Sequence, residues 1–403
     1  MQTAAEFDRS KTYILSINCG SSSLKFSLYQ ALSTNLEWAG SINRIGEDKA
    51  QLQIKDAANQ LLEGHNKHYR NFNAAVLEVI AWLKNKKERY SLMAIGHRIV
   101  QGGPTHFKPI IITGDLLHAL DKLVYLAPNH LPDELLTIRA FQSAYPDVKQ
   151  VACFDTCFHH EMPSYVKDYP LPAIYKKKGL MKYGFHGLSY EFIMQELAKL
   201  FSPVAGQKIL IAHLGNGASM AAVKDGFGID TTMGLSPIGG LVMGTRSGDL
   251  DPGVVVFLLK QTKLKPDDLD ELLSKQSGLK AISGISDIQE LLKADPKNPL
   301  AREALTLFCY SATKYIGALS AAMGGLDMLV FTGGIGENSA IIRERICHDL
   351  GFMGIELDKP KNKKNELIIS KSTGKVAVRV IKTNEELMIA RLVCSVFNYA
   401  IKQ

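Results

Sequence analysis

Asn18-Cys19-Gly20-Ser21-Ser22-Ser23-Leu24-Lys25 puts an amide, three hydroxyls and an ammonium around one short turn. Hydroxyl and backbone donors solvate phosphate oxygens, a lysine neutralises their charge, and an amide orients a metal-bound water. The P-loop pattern GxxxxGK[ST] is absent, so an ordinary serine-rich hairpin remains the alternative. His213-Leu214-Gly215-Asn216-Gly217 follows an apolar run and sets a polar amide between two glycines; a plain Asn-Gly turn is its alternative. Phe331-Thr332-Gly333-Gly334-Ile335-Gly336-Glu337-Asn338-Ser339 leads from an apolar strand through three glycines towards a helix. Asn338 or Ser339 is placed to cap that helix and turn its first N–H groups to the loop. Such a strand, loop and helix commonly seat a nucleotide, and close helix–strand packing is the competing reading.

Four charged or titratable residues have settings that suit chemistry on anions. Asp155 ends the apolar strand VACFD, where an acid suits Mg²⁺ or a proton; a turn cap is the alternative. Arg98 lies inside AIGHRIV, where a guanidinium needs a carboxylate or phosphate partner, or an internal salt bridge. Arg246, in the mobile, glycine-flanked segment Gly244-Thr245-Arg246-Ser247-Gly248-Asp249, is able to reach a transferring phosphoryl group. His186 is likewise flanked by glycines, in YGFHG. Either of the last two alone reads as structural; beside three phosphate-type loops they read as a site.

The elements around them alternate. Tyr13–Tyr29 and Lys208–Lys224 are each a strand, a small-residue turn and a second strand, which suggests a duplicated architecture. Further strands are expected at Ala94–Val100, Gln150–Asp155, Asp327–Phe331 and Val376–Ile381. Helices are expected at Phe72–Lys84, Asp133–Ser143, Tyr190–Leu200, Asp267–Ser274, Leu300–Met323, Ala340–Leu350 and Glu385–Tyr399. This pattern is an α/β fold, and 403 residues exceed what one core usually organises. The expected domains are 1–156 and 157–387, with the last helix, about 388–403, returning to the first.

A net charge of +7 and lysine runs at 84–87 and 359–364 read as solvated surface, not as a nucleic-acid site. Cys153, Cys157, His159 and His160 lack a second ligand pair for zinc and read as buried thiols with surface histidines. The polar start MQTAAEFDRSK, the scattered cysteines, and the charges Arg302, Glu303 and Lys314 within the most apolar helix point to the cytoplasm and exclude a membrane span.

SINCGSSSLKFSLY, GHRIVQGG, FDTCFHHEMP, YGFHGLSY, HLGNGAS, MGLSPIGGLVMGTRSGDLDPG, FTGGIGENSAIIRERIC and TNEELMIAR occur in one order over nearly the whole chain. In this the sequence closely resembles the acetate kinase family. The resemblance implies two duplicated actin-like ATPase (ribonuclease H-like) domains with a cleft between them, usually in a homodimer. It implies ATP or ADP and acetate or acetyl phosphate as partners, and Mg²⁺, with Mn²⁺ as a substitute. Carried over by residue, it implies Asn18 and Glu385 at the metal, Lys25 on nucleotide phosphate, and Arg98 and Arg246 as substrate and transition-state arginines. Asp155 becomes the catalytic acid/base and His186 a transition-state stabiliser. His213, Leu214, Gly215, Asn216 and Gly217, with Gly334, Ile335, Gly336, Glu337 and Asn338, become the nucleotide loops. Val100, His130, Phe185 and Pro237 border the acyl group.

Two departures stand out. Where the family has Ala-Pro-Leu-His-Asn-Pro, this chain reads Ala127-Pro128-Asn129-His130-Leu131-Pro132, and Leu131 is expected to replace the lost leucine. The family's Asp-x-Arg near adenine reads Asp287-Ile288-Gln289 here, without the arginine. The expected reaction is direct in-line transfer, with propionate or butyrate kinase activity and a non-catalytic ATP switch as rivals. A carboxylate nucleophile has no proton to lose, so Asp155 is better suited to positioning a metal or its water than to general-base work.

Overall fold

Apolar, β-rich runs build two sheets, and the computed structural model describes residues 12–86, 90–201 and 206–398 of the chain. The N-terminal run 1–11, Lys87 of the first lysine cluster, and the end of the expected C-terminal helix from 399 lie outside the described residues. The chain divides into two compact units: residues up to Cys157 together with those from Asn384, and Phe158–Thr383.

In the first unit the strands are β1 (Thr12–Cys19), β2 (Ser23–Gln30), β3 (Leu36–Asn43), β4 (Ala50–Asp56), β5 (Leu61–Lys67), β6 (Ser91–Ile99), β7 (Ile110–Ile111) and β8 (Lys149–Phe154). Their order across the sheet is β5-β4-β3-β2-β1-β6-β8-β7. β2 turns back antiparallel on β1, whereas β6 runs parallel to β1 and β8 parallel to β6. The second unit holds β9 (Lys208–Leu214), β10 (Ala218–Lys224), β11 (Phe227–Thr231), β12 (Met328–Thr332) and β13 (Ala377–Val380), in the order β11-β10-β9-β12-β13. Here again a hairpin, β9–β10, is followed by two strands parallel to its first member. The two hairpins with sequence similarity therefore hold equivalent positions in two sheets of the same plan, as a duplicated architecture requires.

The expected strands and helices are all present, most with shifted ends, while the helix Phe72–Lys84 keeps its expected bounds. The helix expected from Ala340 to Leu350, for instance, spans Ala340–Cys347. β3, β4, β5, β7 and β11 are additional, and the first three share a cause. They have polar outward positions, as in AQLQIKD and LLEGHNK, so their pattern lacks the buried runs that mark β1 or β12. β5 keeps most of its side chains in solvent, as suits the edge of a sheet.

Helices cover both faces of the first sheet. Phe72–Lys84 starts at Asn71, whose side chain accepts from the Ala74 amide, and buries Phe72, Val76, Val79, Ile80 and Leu83. On the opposite face Glu385–Val396 packs over β1 and β6. Its approach depends on Gly96, where a Cβ would collide with Ile389 and Val393. His97 and His159 are among the buried histidines. His97 Nε2 donates to Gln150 Oε1 at 2.6 Å, and His159 Nε2 donates to the Phe185 carbonyl at 3.0 Å. His159 is thus a core residue and not the surface histidine expected from sequence. A Cβ at Gly184, which has φ +74°, would press into its ring. The four-residue Cys/His cluster forms no metal group among the described residues, and no disulfide joins the six cysteines. Among the described residues no helix is long and apolar enough to cross a membrane.

Two predictions follow from this packing. Gly96→Ala is expected to destabilise the protein by about 1–3 kcal/mol through overpacking against the C-terminal helix; urea unfolding with an unchanged midpoint would contradict the packing described. Burial lowers His97 and His159 from their ordinary value to about 4. Between pH ~6.5 and ~4 the unfolded chain then binds protons that the folded one does not, so stability falls as pH falls. His159→Gln is expected to flatten part of that slope in denaturant titrations run across this window.

Candidate active site

Three strands of the first sheet end side by side and bring their last polar residues together. Asn18 is the penultimate residue of β1, Arg98 that of β6, and Asp155 follows β8. Arg98 is the hub. Its Nε and Nη2 donate to Asp155 Oδ2 at 3.0 and 2.5 Å, and its Nη1 donates to Asn18 Oδ1 at 2.9 Å. Glu385, in the first turn of the C-terminal helix, brings Oε2 to 3.9 Å from Arg98 Nη1. The Asn18 amide donates to Glu385 Oε2 at 2.9 Å and to Glu386 Oε1 at 3.0 Å. Burial opposes the charge on Arg98, but the Asp155 and Glu385 carboxylates outweigh it and raise its affinity for the proton. The internal salt bridge open for Arg98 is thus present, and it holds a guanidinium whose side chain is still 14% exposed.

Lys25 pairs directly with Asn18 across the β1–β2 hairpin and is exposed. Directly opposed residues share a face, so the ammonium stands on the Asn18 side of the sheet. Val100 is buried just past β6, and His130 is half-buried at the start of the helix Leu131–Ala144. Leu131 is fully buried, whereas Asn129 keeps partial exposure.

The second unit gathers its polar residues at the ends of β9 and β12. The β9–β10 loop closes with Gly215 N donating to Gly217 O at 3.0 Å. The helix Gly333–Asn338 follows β12 with no intervening loop. A Cβ on Gly333, at φ +76°, would lie 2.8 Å from the Leu214 carbonyl, so only glycine permits this approach. The same test at Gly215 reaches the Gly334 amide at 3.9 Å. The two glycine loops therefore adjoin. The expected capping does not occur: Asn338 donates to the Gly334 carbonyl, and Ser339 makes no side-chain cap. Glu337 does this work from within the helix, its Oε1 accepting from the amides of Gly333 and Thr383 at 2.9 Å each.

His186 and Arg246 converge on the first of these loops. A Cβ at Gly217 would lie 3.0 Å from His186 Nε2 and 3.5 Å from Arg246 Nη1. His186 has φ 58° and ψ 25°, a left-handed conformation uncommon outside glycine, at the head of the helix Gly187–Leu200. Its Nδ1 is hydrogen-bonded to Ser219 Oγ at 2.7 Å, and its ring stacks on His213 at 4.4 Å between centroids. Phe185, next to it, is buried. Arg246 Nη1 donates to the Pro237 carbonyl at 3.0 Å, which ties two of the expected residues together.

The Arg246 segment is not the mobile loop that its glycines suggest. Met243 N bonds Arg246 O, Ser247 N bonds Leu273 O, Ser277 N bonds Thr245 O, and Leu279 and Lys280 donate to Met243 and Gly244. Gly278, with φ +65°, lies against this backbone: a Cβ there would meet Arg246 O at 2.7 Å. The segment is a strapped loop. Beside it, a Cβ at Gly244 would lie 2.9 Å from Ser286 O and 3.5 Å from Asn216 Oδ1, so Asp287 follows a residue that borders the Arg246 loop. The Asp287 carboxylate caps its own helix, accepting from the Gln289 and Glu290 amides at 2.9 Å, while Ile288 is buried and Gln289 exposed.

Sequence reading missed two residues that support these groups. Arg343 is fully buried, and its five N–H groups serve the carbonyls of Gly336, Glu337 and Asn362 and the side-chain oxygens of Asn362 and Asn365. It clamps the end of the Gly333–Asn338 helix. Glu134, buried on the helix Leu131–Ala144, brings both carboxyl oxygens to 3.2 Å from the Val100 amide. Each sits in a polar stretch of an amphipathic helix, so charge alone gave no signal.

The chain is similar to known proteins over nearly its whole length. Residues 13–391 match the model of the Acetokinase family. Acetate kinase of Clostridium novyi is 42% identical over 390 residues, 94% of this chain and 96% of that protein. That of Thermoanaerobacterium thermosaccharolyticum is 43% identical, over 94% of this chain and 97% of that protein. The crystal structure of Porphyromonas gingivalis acetate kinase superposes with a TM-score of 0.84 at 36% identity, covering 96% of this chain and all of that one. A propionate kinase from Francisella tularensis gives 0.88 at 36%, over 94% and 98%. With its two α/β units of common plan, the chain belongs to the acetokinase family and has that family's duplicated actin-like fold.

Proposed function

We propose that the chain is an acetate kinase, transferring the γ-phosphoryl group of ATP reversibly to acetate by direct in-line displacement. The observation that carries the reading is Arg98, a buried guanidinium at three converging strand ends that keeps part of its surface open. Such a group suits a planar carboxylate acceptor better than a polyol. Two anions repel, so the work of the protein is neutralisation and alignment. In this reading Arg98 receives the carboxylate, with Val100, His130, Phe185 and Pro237 around the acyl group. Arg246 and His186 stabilise the planar phosphoryl group, whose charge spreads over three equatorial oxygens. The Arg246 loop is held by backbone hydrogen bonds, and this suits a donor that must be in place before charge develops. Lys25 and the loops His213–Gly217, Asp287–Gln289 and Gly334–Asn338 hold the nucleotide. The Glu337 and Asp287 carboxylates support these loops from within, since both bond backbone amides.

Among the described residues no three His, Cys, Asp or Glu side chains form a metal cage. The Glu385 carboxylate nevertheless suits Mg²⁺, which takes few protein ligands and keeps waters and substrate phosphates, and Asn18, whose amide donates to that carboxylate, would hold it in place. When bound, the cation supplies charge neutralisation to the nucleotide phosphates. Asp155, held by Arg98 in an ion pair, orients that guanidinium and the water around the cation and abstracts no proton.

A second reading, propionate kinase, is favoured by the Francisella tularensis neighbour. The kcat/KM values for formate, acetate, propionate and butyrate with ATP, read as acyl hydroxamate, decide between them. One methylene in an apolar pocket is worth about 1–3 kcal/mol, so acetate is expected to lead propionate by about tenfold or more; the reverse order would assign the second reading. Arg246→Ala is expected to lower kcat by about two or more orders of magnitude with the fold intact. Near-normal turnover would remove Arg246 from the mechanism.

A cytoplasmic homodimer completes the proposal. Six cysteines without a disulfide suit a reducing compartment. The helix Pro252–Gln261, PGVVVFLLKQ, buries none of its residues, and Val256 and Phe257 are 48% and 61% exposed. An apolar face of this kind is what a second copy would cover. Phe257→Glu is expected to shift the protein to monomer in analytical ultracentrifugation, and a dimer of unchanged strength would place the interface elsewhere.

A further inference from the structure

Glu134 is a buried acid that the reaction as described does not use. Its two oxygens share one donor, the Val100 amide, at 3.2 Å each. An ionised carboxylate accepts several hydrogen bonds, and a buried one served by a single amide is poorly compensated. The groups that face it are Arg98 from β6, Asp155 beyond β8, Asp133 on its own helix and Cys19 on β1. Arg98 already has two carboxylates around its single positive charge, Asp155 and Glu385. A third negative charge behind it would leave the strand ends a poorer receptor for any anion.

We propose that Glu134 is a positioning residue that holds the Val100 end of β6, and that its proton governs how well Arg98 attracts a carboxylate substrate. The neutral acid permits binding; the carboxylate weakens it. The inference rests on the reading in which Arg98 receives the acceptor. Burial first, then the Asp155 and Asp133 charges, push the Glu134 carboxyl up, against the pull of Arg98 and the Val100 amide, to about 8. The acid is therefore mostly neutral at pH 7 and ionises just above it.

The test is the pH dependence of KM for acetate, with kcat and KM for ATP measured alongside, from pH 6.5 to 9.5. In the unmodified enzyme KM for acetate is expected to rise by about tenfold between pH 7 and pH 9, as one group ionises, with KM for ATP little changed. Glu134→Gln keeps an acceptor for the Val100 amide without the charge, and its acetate KM is expected to stay flat over that range. Glu134→Ala loses the grip on Val100 and is expected to raise acetate KM at every pH. An independent readout needs no substrate. A carboxyl raised in the folded state binds protons that the unfolded chain releases, so its stabilising contribution is lost as pH climbs from ~4.5 through ~8. Glu134→Gln is expected to remove that decline in urea unfolding.

If Glu134→Gln keeps the same alkaline rise in acetate KM, the proposal is overturned. Arg98→Lys, which loses the planar fork, separates this from failure of the underlying reading. Should Arg98→Lys raise acetate KM while Glu134→Gln changes no profile, only the role of Glu134 falls. Should Arg98→Lys leave acetate KM unaltered, Arg98 is not the acceptor group, and both fall.

Discussion

One buried positive charge organises the first unit. Arg98 is tied to Asp155 twice, to Asn18 once and to Glu385 at longer range, and each partner arrives on a different element. A guanidinium taken from water costs several kcal/mol unless its fork is met. The ends of β1, β6 and β8 and the head of the C-terminal helix are therefore constrained to one register. The Asn18 amide is fixed between a donor and two acceptors, so it has little freedom to turn. What the charge requires of the fold is also what a small anion requires of a receptor. The partners neutralise Arg98 enough to bury it and leave one side of it open.

The second unit solves its problem with backbone geometry. Glycines at 217, 244, 278 and 333 leave room where any Cβ would press on His186, Ser286, Arg246 or Leu214. These approaches bring amide groups and two side-chain donors within a few ångströms of one another. The left-handed His186 belongs to the same economy of space, since its ring lies between Ser219 and His213. Conformations of this kind cost about 1–3 kcal/mol and persist when neighbours over-determine them.

Much of this was legible in the sequence because the informative residues fall at element ends. Asp155 closing an apolar strand, Arg98 inside one, and glycines directly after Phe331-Thr332 all carry a positional anomaly that periodicity exposes. Duplication was legible for the same reason, as two strand–turn–strand units. Other features were hidden. Glycines around Arg246 suggest looseness, but they serve close packing, and the backbone bonds that strap the loop come from residues 273–280. Glu134 and Arg343 look like surface charges of amphipathic helices because burial by a distant strand end or loop leaves no local trace. His159 was misjudged likewise, since its partner is the Phe185 carbonyl, 26 residues on.

The first unit is discontinuous along the chain, and this has a consequence for its making. Asn18 finds its carboxylate partners 367 and 368 residues later, while Phe158–Thr383 is one uninterrupted stretch. A nascent chain emerging from the ribosome can finish the second unit before the first has its last helix. Until then the face of β1 and β6 that receives Ile389 and Val393 stays uncovered, and Arg98 lacks one of its two carboxylates. Strands made early in this stretch are thus closed by a helix made late in it. Shortening the chain within Glu385–Val396 would remove a wall of the first unit, so a lesion there would be felt in strands encoded far upstream.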